Sequence, residues 1–164
     1  MRHNSGMTMV ELMTVMAIIA LLTVIALPSY QSYQARGLRS QGQQFLMDLA
    51  QAQEQYFLEQ KQYATDINPV ATTGMLTRSI PATVSAQYTL TQPFAVVNAA
   101  GAPPTFLLVL TPVAGATIAN AGDGALLINS LGQRWREADG NLTYNPNNGS
   151  IGDCTWEATT CVPH

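Results

Sequence analysis

Histidine is almost missing from this chain. The 164 residues include two histidines, His3 and His164, which lie at the extreme ends of the sequence. A histidine general base, a Ser-His or Cys-His pair and a histidine-rich metal site all need the imidazole inside a fold, next to other reactive side chains. We therefore expect a chain without catalytic activity, without a bound metal and without a cofactor.

Charge is also scarce. Asp, Glu, Lys and Arg make up 10% of the residues, whereas about a quarter is usual. Seven basic side chains against ten acidic ones leave a formal net charge of -3 at pH 7. No overall electrostatic attraction therefore draws the chain to nucleic acid or to anionic lipid, and nucleic acid is disfavoured as a partner. The length fits one globular head with an appendage.

A long run without charge lies near the N-terminus. Residues 7–27 contain a single ionisable side chain, Glu11, and the run ends at Pro28. As a helix, these about 21 residues would span roughly 31 Å, close to the hydrocarbon thickness of a bilayer. A cleaved secretory signal would need an uninterrupted apolar stretch, which Glu11 breaks. A carboxylate at the centre of such a helix costs on the order of 3 kcal/mol and less near an end, so Glu11 is a functional candidate that needs a positive partner.

The start of this run resembles the class III signal of type IV pilins and pseudopilins. The matching residues are Ser5, Gly6, Met7, Thr8, Met9, Val10, Glu11, Leu12 and Met13, followed by Ala17, Ile18, Ile19 and Pro28. The resemblance implies that a prepilin peptidase cleaves after Gly6 and methylates the new N-terminal residue, Met7. Residues 1–6 would be the leader, and residues 7–28 would form the half of a long helix that lies first in the membrane and later in a filament core.

Cleavage would also supply a partner for Glu11. The new α-amino group of Met7 would lie four residues, about one helical turn, before Glu11. The amine would pair with Glu11 of its own helix or of a neighbouring subunit; the resemblance favours the neighbour, a contact that would set the axial register of a helical filament. Many members of the family carry a glycine where Ala20 stands, so Pro28 is the main expected site of a helix kink or of local melting on assembly.

An amphipathic pattern follows Pro28 and predicts that the helix continues to about Gln62. Its apolar positions are Leu38, Phe45, Leu46, Leu49, Ala52, Tyr56 and Phe57. Residues 30–64 resemble the second half of the pilin helix in PilE-like minor pilins, in which a Gln-x-x-Glu-x-Tyr-Phe element and a closing Tyr-Ala are typical. The corresponding residues are Gln51, Glu54, Tyr56, Phe57, Tyr63 and Ala64. We expect the aromatic residues of this motif in the core and residues 29–63 packed on a head.

The head is predicted over residues 64–164. Asn68-Pro69 and Ile80-Pro81 limit regular structure and indicate a surface connection over residues 66–81. Three extended runs follow at 87–97, 105–113 and 124–136, and a turn at 130–133 divides the last run, which gives about four antiparallel strands. Pro93 and Pro112 indicate edges or interruptions. The fold class is therefore α+β, with a long helix packed on an antiparallel sheet, the pilin fold.

Both cysteines lie in the C-terminal tail. Many PilE-like heads carry a cysteine just before the Gly-x-Leu of the last run, but here Asp123 precedes Gly124. Any disulfide within the chain must therefore join Cys154 to Cys161. A redox or metal-binding pair is the alternative, but the spacing is not that of a C-x-x-C motif, so we favour a structural disulfide formed in an oxidising compartment.

The resemblance implies a structural function, as a minor pilin that primes or joins a type IV pilus and supports assembly, twitching motility, adhesion or DNA uptake. Its partners would be the prepilin peptidase, other pilin subunits, the inner-membrane assembly platform and, before assembly, inner-membrane lipid. The head would lie in the periplasm before assembly and outside the cell in the pilus. A type II secretion pseudopilin or a major pilin would share the same signal.

A DNA-binding or surface-binding head is a second hypothesis. Arg134 and Arg136 flank Trp135 on a predicted strand, an arrangement that would neutralise and stack on a nucleic-acid strand. Alternation along a strand places both arginines on one face and the tryptophan on the other. A solvated arginine face over a core tryptophan is therefore the simpler interpretation.

Overall fold

The first element of the structure is one long helix, α1 (Met9–Gln60). The computed structural model describes residues 8–68, 70, 73–98, 101–137 and 154–156, without the side chains of residues 28 and 29. The 52 residues of α1 correspond to about 78 Å. Lys61, in a left-handed conformation with a φ of 57°, ends the helix and donates its N–H to the Phe57 carbonyl. The predicted helix is confirmed, with its end two residues earlier, and it passes residue 28 without interruption.

The surroundings of α1 change along its length. Residues 9–27, here called the apolar half, are all exposed, whereas one face of residues 35–60, the head half, is buried. Buried side chains in the head half recur every three or four residues, as the amphipathic pattern predicts; they are Ala35, Phe45, Leu46, Leu49, Ala52 and Gln53. Leu38, Tyr56 and Phe57 lie half-buried at the edge of the same core.

Six short strands form the sheet of the head, and every pairing in it is antiparallel. They are β3 (Tyr88–Leu90), β4 (Ala95–Val97), β5 (Thr105–Pro112), β6 (Ala125–Asn129), β7 (Arg134–Glu137) and β8 (Cys154–Thr155). The order is β3-β5-β6-β7-β8, and β4 pairs with β5 as well. The predicted run 87–97 is thus two strands, with a cis peptide bond at Gln92-Pro93 between them. The interruption predicted from Pro93 is confirmed.

The surface connection expected at residues 66–81 is more regular than the sequence indicated. It contains two parallel strands, β1 (Asp66–Asn68) and β2 (Met75–Thr77), with Ile67 opposite Leu76. Two single-turn helices were also not expected, namely α2 (Ala82–Ser85) and α3 (Thr117–Asn120). Each of these elements has three or four residues, too few for a repeating apolar pattern.

The core lies between the head half of α1 and the facing side of the sheet. Leu46 and Leu49 of α1 pack in one cluster with Leu108, Leu110 and Leu126 of the sheet. The opposite side of the sheet is also buried at Val109, Leu127 and Trp135.

Gly42 allows a close approach of helix and sheet. A Cβ atom at this position would lie 3.0 Å from the Tyr88 ring and 3.1 Å from Leu126. A glycine inside a helix lowers the stability of that helix, and this close packing explains why a residue without a side chain stands here.

Candidate functional site

The apolar half of α1 is the largest exposed apolar surface that the structure describes. Its large side chains are between 47% and 79% exposed. The 19 residues correspond to about 28 Å of helix, and α1 is long and apolar enough to cross a membrane. A surface this apolar needs lipid or other apolar helices around it.

Glu11 makes its contacts at the very start of α1. The Thr8 backbone N–H and the Thr8 hydroxyl each donate to Glu11 Oε2 over 2.8 Å, and the Glu11 N–H donates to Thr8 Oγ1 over 3.3 Å. This reciprocal pair is a capping box, which satisfies donors that the first helical turn leaves without partners. Gly6 and Met7 lie outside the described residues, so cleavage after Gly6, methylation of Met7 and pairing of its amine with Glu11 stay predictions.

The closing Tyr-Ala of the PilE-like motif is held from several sides. Phe57 stacks on Tyr63 with 4.8 Å between ring centroids, and Glu54 accepts a 3.1 Å hydrogen bond from the Tyr63 hydroxyl. Burial, together with the Glu54 carboxylate, raises the pKa of Tyr63. Tyr56 accepts a 3.1 Å hydrogen bond from the Gly74 N–H. The motif therefore fixes the chain where it leaves α1.

Two amides that the sequence analysis missed complete this junction. Gln53, which is 0% exposed, accepts from the Ala64 N–H and donates to the Ala64 carbonyl, each over 2.9 Å. Asn98 bonds the Tyr63 N–H and carbonyl in the same way, each over 3.0 Å. A glutamine four residues after Leu49 on the apolar face was the signal for Gln53, whereas nothing near Asn98 in the sequence marks its role.

An ion cluster of Arg39, Asp123 and Arg136 joins α1 to the sheet. Asp123 Oδ2 lies 2.6 Å from Arg39 Nε, and Asp123 Oδ1 lies 2.6 Å from Arg136 Nη1. The exposed fractions of the three side chains are 11%, 4% and 1%. Burial lowers the pKa of Arg136, and the Asp123 charge opposes that shift. Asp123, which stands where many PilE-like heads have a cysteine, thus joins helix and sheet through its ion pairs with the two arginines.

The ion cluster corrects the interpretation of the Arg-Trp-Arg strand. Trp135 is buried on one side of the sheet, as expected, but the arginine side is not a solvated face. Arg136 lies in the ion cluster, where the Asp123 carboxylate compensates its charge. Arg134 alone of the pair is exposed.

Arg134 borders a groove between α1 and the turn that joins β6 to β7. The groove has a volume of about 470 Å³, and its lining includes Met47, Ala50, Phe106, Ile128, Leu131 and Arg134. The Arg134 guanidinium lies 5.7 Å from the centre of the Trp156 ring. Trp156 is itself fixed, because its indole N–H donates to the Trp135 carbonyl over 2.9 Å and Gln43 donates to its carbonyl over 3.1 Å.

Cys154 lies in β8, opposite Arg136, and is disulfide-bonded. Cys161 lies outside the described residues, so the Cys154–Cys161 pairing stays a prediction. The kink or local melting at Pro28 is expected on assembly and also stays a prediction.

Comparison with known families gives two matches. A family model described as "Type IV minor pilin ComP, DNA uptake sequence receptor" matches residues 28–122, more than half of the chain. A model described as "Prokaryotic N-terminal methylation motif" matches residues 1–27. No curated protein matches the chain. The long helix packed on an antiparallel sheet agrees with the predicted pilin fold, and the chain therefore belongs to the ComP family of type IV minor pilins, as a pilin anchored in the membrane by its N-terminal helix.

Proposed function

We propose that this minor pilin is built into a type IV pilus through the apolar half of α1 and helps to prime that fibre. The observation that carries the proposal is a helix half that is exposed on every side, next to a head whose described residues pack on the following half. Apolar helices bundled in a fibre core would cover this surface. The role is structural rather than catalytic, which agrees with the lack of histidine away from the chain ends.

Processing and assembly then occur in sequence. A prepilin peptidase removes residues 1–6 and methylates Met7 while the apolar half lies in inner-membrane lipid and the head lies in the periplasm. The assembly platform next transfers the subunit into the fibre, where the head becomes extracellular. Glu11 pairs with the amine of a neighbouring subunit during this transfer, because a carboxylate in an apolar core needs a positive partner.

The test compares Glu11→Ala with Glu59→Ala, which removes an exposed acid from the distal end of the same helix. We expect Glu11→Ala to be inserted and cleaved but nearly absent from sheared fibres, while Glu59→Ala enters fibres at the wild-type level. Immunoblots of fibre and membrane fractions measure incorporation, and mass spectrometry of the N-terminal peptide measures cleavage and methylation at Met7. Normal incorporation of Glu11→Ala would contradict the proposal.

DNA is a second candidate, as a ligand of the head. The family description names a DNA uptake sequence receptor, and Arg134 over the Trp156 ring offers a cation beside an aromatic surface. The net charge of -3 limits the number of phosphates that the head can neutralise. Any DNA binding would therefore depend on few cations, with Arg134 among them.

The salt dependence of DNA affinity tests this candidate on the full chain in mild detergent. A plot of the logarithm of the association constant against the logarithm of the salt concentration has a negative slope. Arg134→Ala is expected to make this slope less steep by about 0.9, the value for one phosphate contact on duplex DNA. Lys61→Ala, at the residue that ends α1, is the control and should leave the slope unchanged. An affinity that neither salt nor Arg134→Ala alters would rule out this surface as a DNA site.

A further inference from the structure

The segment of α1 between the apolar half and the head carries two exposed tyrosines. Tyr30 is 62% exposed and Tyr33 is 75% exposed. Residues three apart lie on the same side of a helix, whereas Ala35, which begins the contact with the head, is buried on another side. Among the described residues, the Tyr30 hydroxyl accepts a 3.5 Å hydrogen bond from the Gln34 amide one turn further along the helix, and neither phenol packs in the core of the head.

We propose that Tyr30, Tyr33 and Arg36 seat the unassembled subunit in the headgroup layer of the bilayer. The proposal rests on the proposed stage in which the apolar half lies in inner-membrane lipid. Tyrosine is enriched at membrane–water interfaces, because its ring is apolar and its hydroxyl is polar. Arg36, also exposed, provides the positive charge that binds lipid phosphate.

The distances along α1 place the backbone of Tyr30 inside the headgroup layer and the backbones of Tyr33 and Arg36 on its outer side, from which their side chains reach back toward it. The apolar half ends at Leu27, and Tyr30, Tyr33 and Arg36 follow it by about 4.5, 9 and 13.5 Å along the axis. The headgroup layer is about 5–7 Å deep on each side of a bilayer. Helical Cα–Cβ bonds tilt toward the N-terminus, here toward the membrane, so both phenols lean into that layer. The long arginine side chain reaches back in the same direction.

The charge of this segment favours anionic headgroups. After Glu11 the next acidic residue is Asp48, so residues 12–47 contain arginines and no carboxylate. Arg39 is held by Asp123, and Arg36 is the exposed cation nearest the membrane in the described part of the chain. Lipid phosphates would thus meet positive charge without a competing acid on this stretch of α1.

The test uses the full chain alone in phosphatidylcholine–phosphatidylglycerol vesicles, in which the phosphatidylcholine carries bromine near the carbonyl end or near the methyl end of its acyl chain. Tyr30→Trp and Tyr33→Trp add an emitter that bromine quenches on contact. Ile18→Trp is the standard for the bilayer centre, and Leu58→Trp, on a side chain 69% exposed at the far end of α1, is the standard for water. Trp135 and Trp156 give the same background in every variant.

We expect the emission added at positions 30 and 33 to be quenched several-fold more by the shallow bromine than by the deep one, and the reverse at position 18. If positions 30 and 33 behave like position 58, the tyrosines stand off the membrane and the proposal is wrong. If they behave like position 18, they lie in the hydrocarbon layer and the assignment to headgroups is wrong.

Arg36 has its own measurement. Combining Tyr33→Trp with Arg36→Glu should reduce shallow quenching in the anionic vesicles and leave it unchanged in pure phosphatidylcholine. Equal quenching with and without Arg36→Glu in the anionic vesicles would overturn the role of Arg36. The vesicles contain no assembly machinery, so these results are independent of fibre incorporation, which the Glu11→Ala comparison tests.

Discussion

The apolar half and the head half of α1 are one continuous helix with opposite uses of polar groups. In the apolar half, Thr14 and Thr23 donate to the carbonyls of Val10 and Ile19 over 2.9 and 2.8 Å, and Glu11 bonds to Thr8. These hydrogen bonds stay within the helix, so Thr14 and Thr23 leave no unpaired hydroxyl on the apolar surface.

In the head half several polar side chains bond to groups outside the helix instead. Arg39 binds Asp123, Gln43 binds the Trp156 carbonyl and Gln53 binds Ala64. A buried polar group is costly unless it has its partner, so each of these contacts fixes one position of the head on the helix. The polar groups of the apolar half are thus satisfied locally, which suits the proposed exchange of lipid for neighbouring subunits, whereas those of the head half hold the head in one position.

The largest loss of stability is expected from a substitution in the ion cluster that joins the head half to the sheet. Asp123→Asn removes the carboxylate that compensates two buried guanidinium groups, and we expect the free energy of unfolding to fall by about 3–5 kcal/mol. Asp48→Asn is the control, because Asp48 and Arg78 form an exposed pair worth about 0–1 kcal/mol. Urea unfolding in mild detergent, followed by tryptophan fluorescence, measures both. A similar small loss in the two variants would show that the cluster does not hold helix and sheet together.

The next largest effect is expected at a leucine of the head half, and a leucine of the apolar half is its matched control. Leu49 is fully buried between α1 and the sheet, whereas Leu21 is exposed in the apolar half. Leu49→Ala should cost the head about 2–5 kcal/mol of unfolding free energy, since it removes transfer energy and leaves a cavity. Leu21→Ala should leave head unfolding unchanged in the same assay. A loss of stability from Leu21→Ala would mean that the two halves are not energetically separate.

The features that are local in sequence could be predicted. The apolar run and the spacing of Leu46, Leu49 and Ala52 give the extent and inner face of α1, and Pro93 marks the break between β3 and β4. The parallel pair β1 and β2 was missed, because three-residue strands with little burial leave no periodic pattern.

The long-range contacts could not be predicted from the sequence. Arg39 and Asp123 are 84 positions apart, and Arg136 meets them only after β7 has paired with β6 and the sheet has packed on α1. The alternation of Arg134, Trp135 and Arg136 correctly separated two faces, but it carries no information on whether the arginine face is covered. The sequence could not decide between a Glu11 partner on the same helix and one on a neighbouring subunit for a similar reason. A contact between subunits leaves no pattern within one chain.

Two glycines of α1 test how closely the head half approaches the sheet. Gly42→Val would place a side chain against Tyr88 and Leu126, where a Cβ atom already meets neighbours at 3.0–3.1 Å, and should cost about 1–3 kcal/mol by overpacking. Gly37→Ala meets no atom within 4 Å and should stabilise the helix by about 0.5–1 kcal/mol. The two variants are thus expected to shift the urea midpoint in opposite directions. A shift in the same direction would contradict the close approach at Gly42.

The smallest effect at neutral pH is expected at Tyr88, where a polar group of the head lacks the partner that its neighbours have. The Tyr88 hydroxyl is buried without a hydrogen bond among the described residues, so Tyr88→Phe should change the unfolding free energy by less than about 1 kcal/mol.

Burial, and next the Asp123 charge, raise the pKa of Tyr88 above its ordinary value of 10.0. The folded state then holds this proton more tightly than the unfolded state, so stability is unaffected below pH 10 and falls as the pH rises above it. Tyr88→Phe should lose less stability than the wild type above pH 10 in urea titrations. The control is Tyr30→Phe, at an exposed tyrosine outside the head, which should lose as much stability above pH 10 as the wild type. Equal losses in the wild type and in Tyr88→Phe would show that ionisation of Tyr88 does not destabilise the fold.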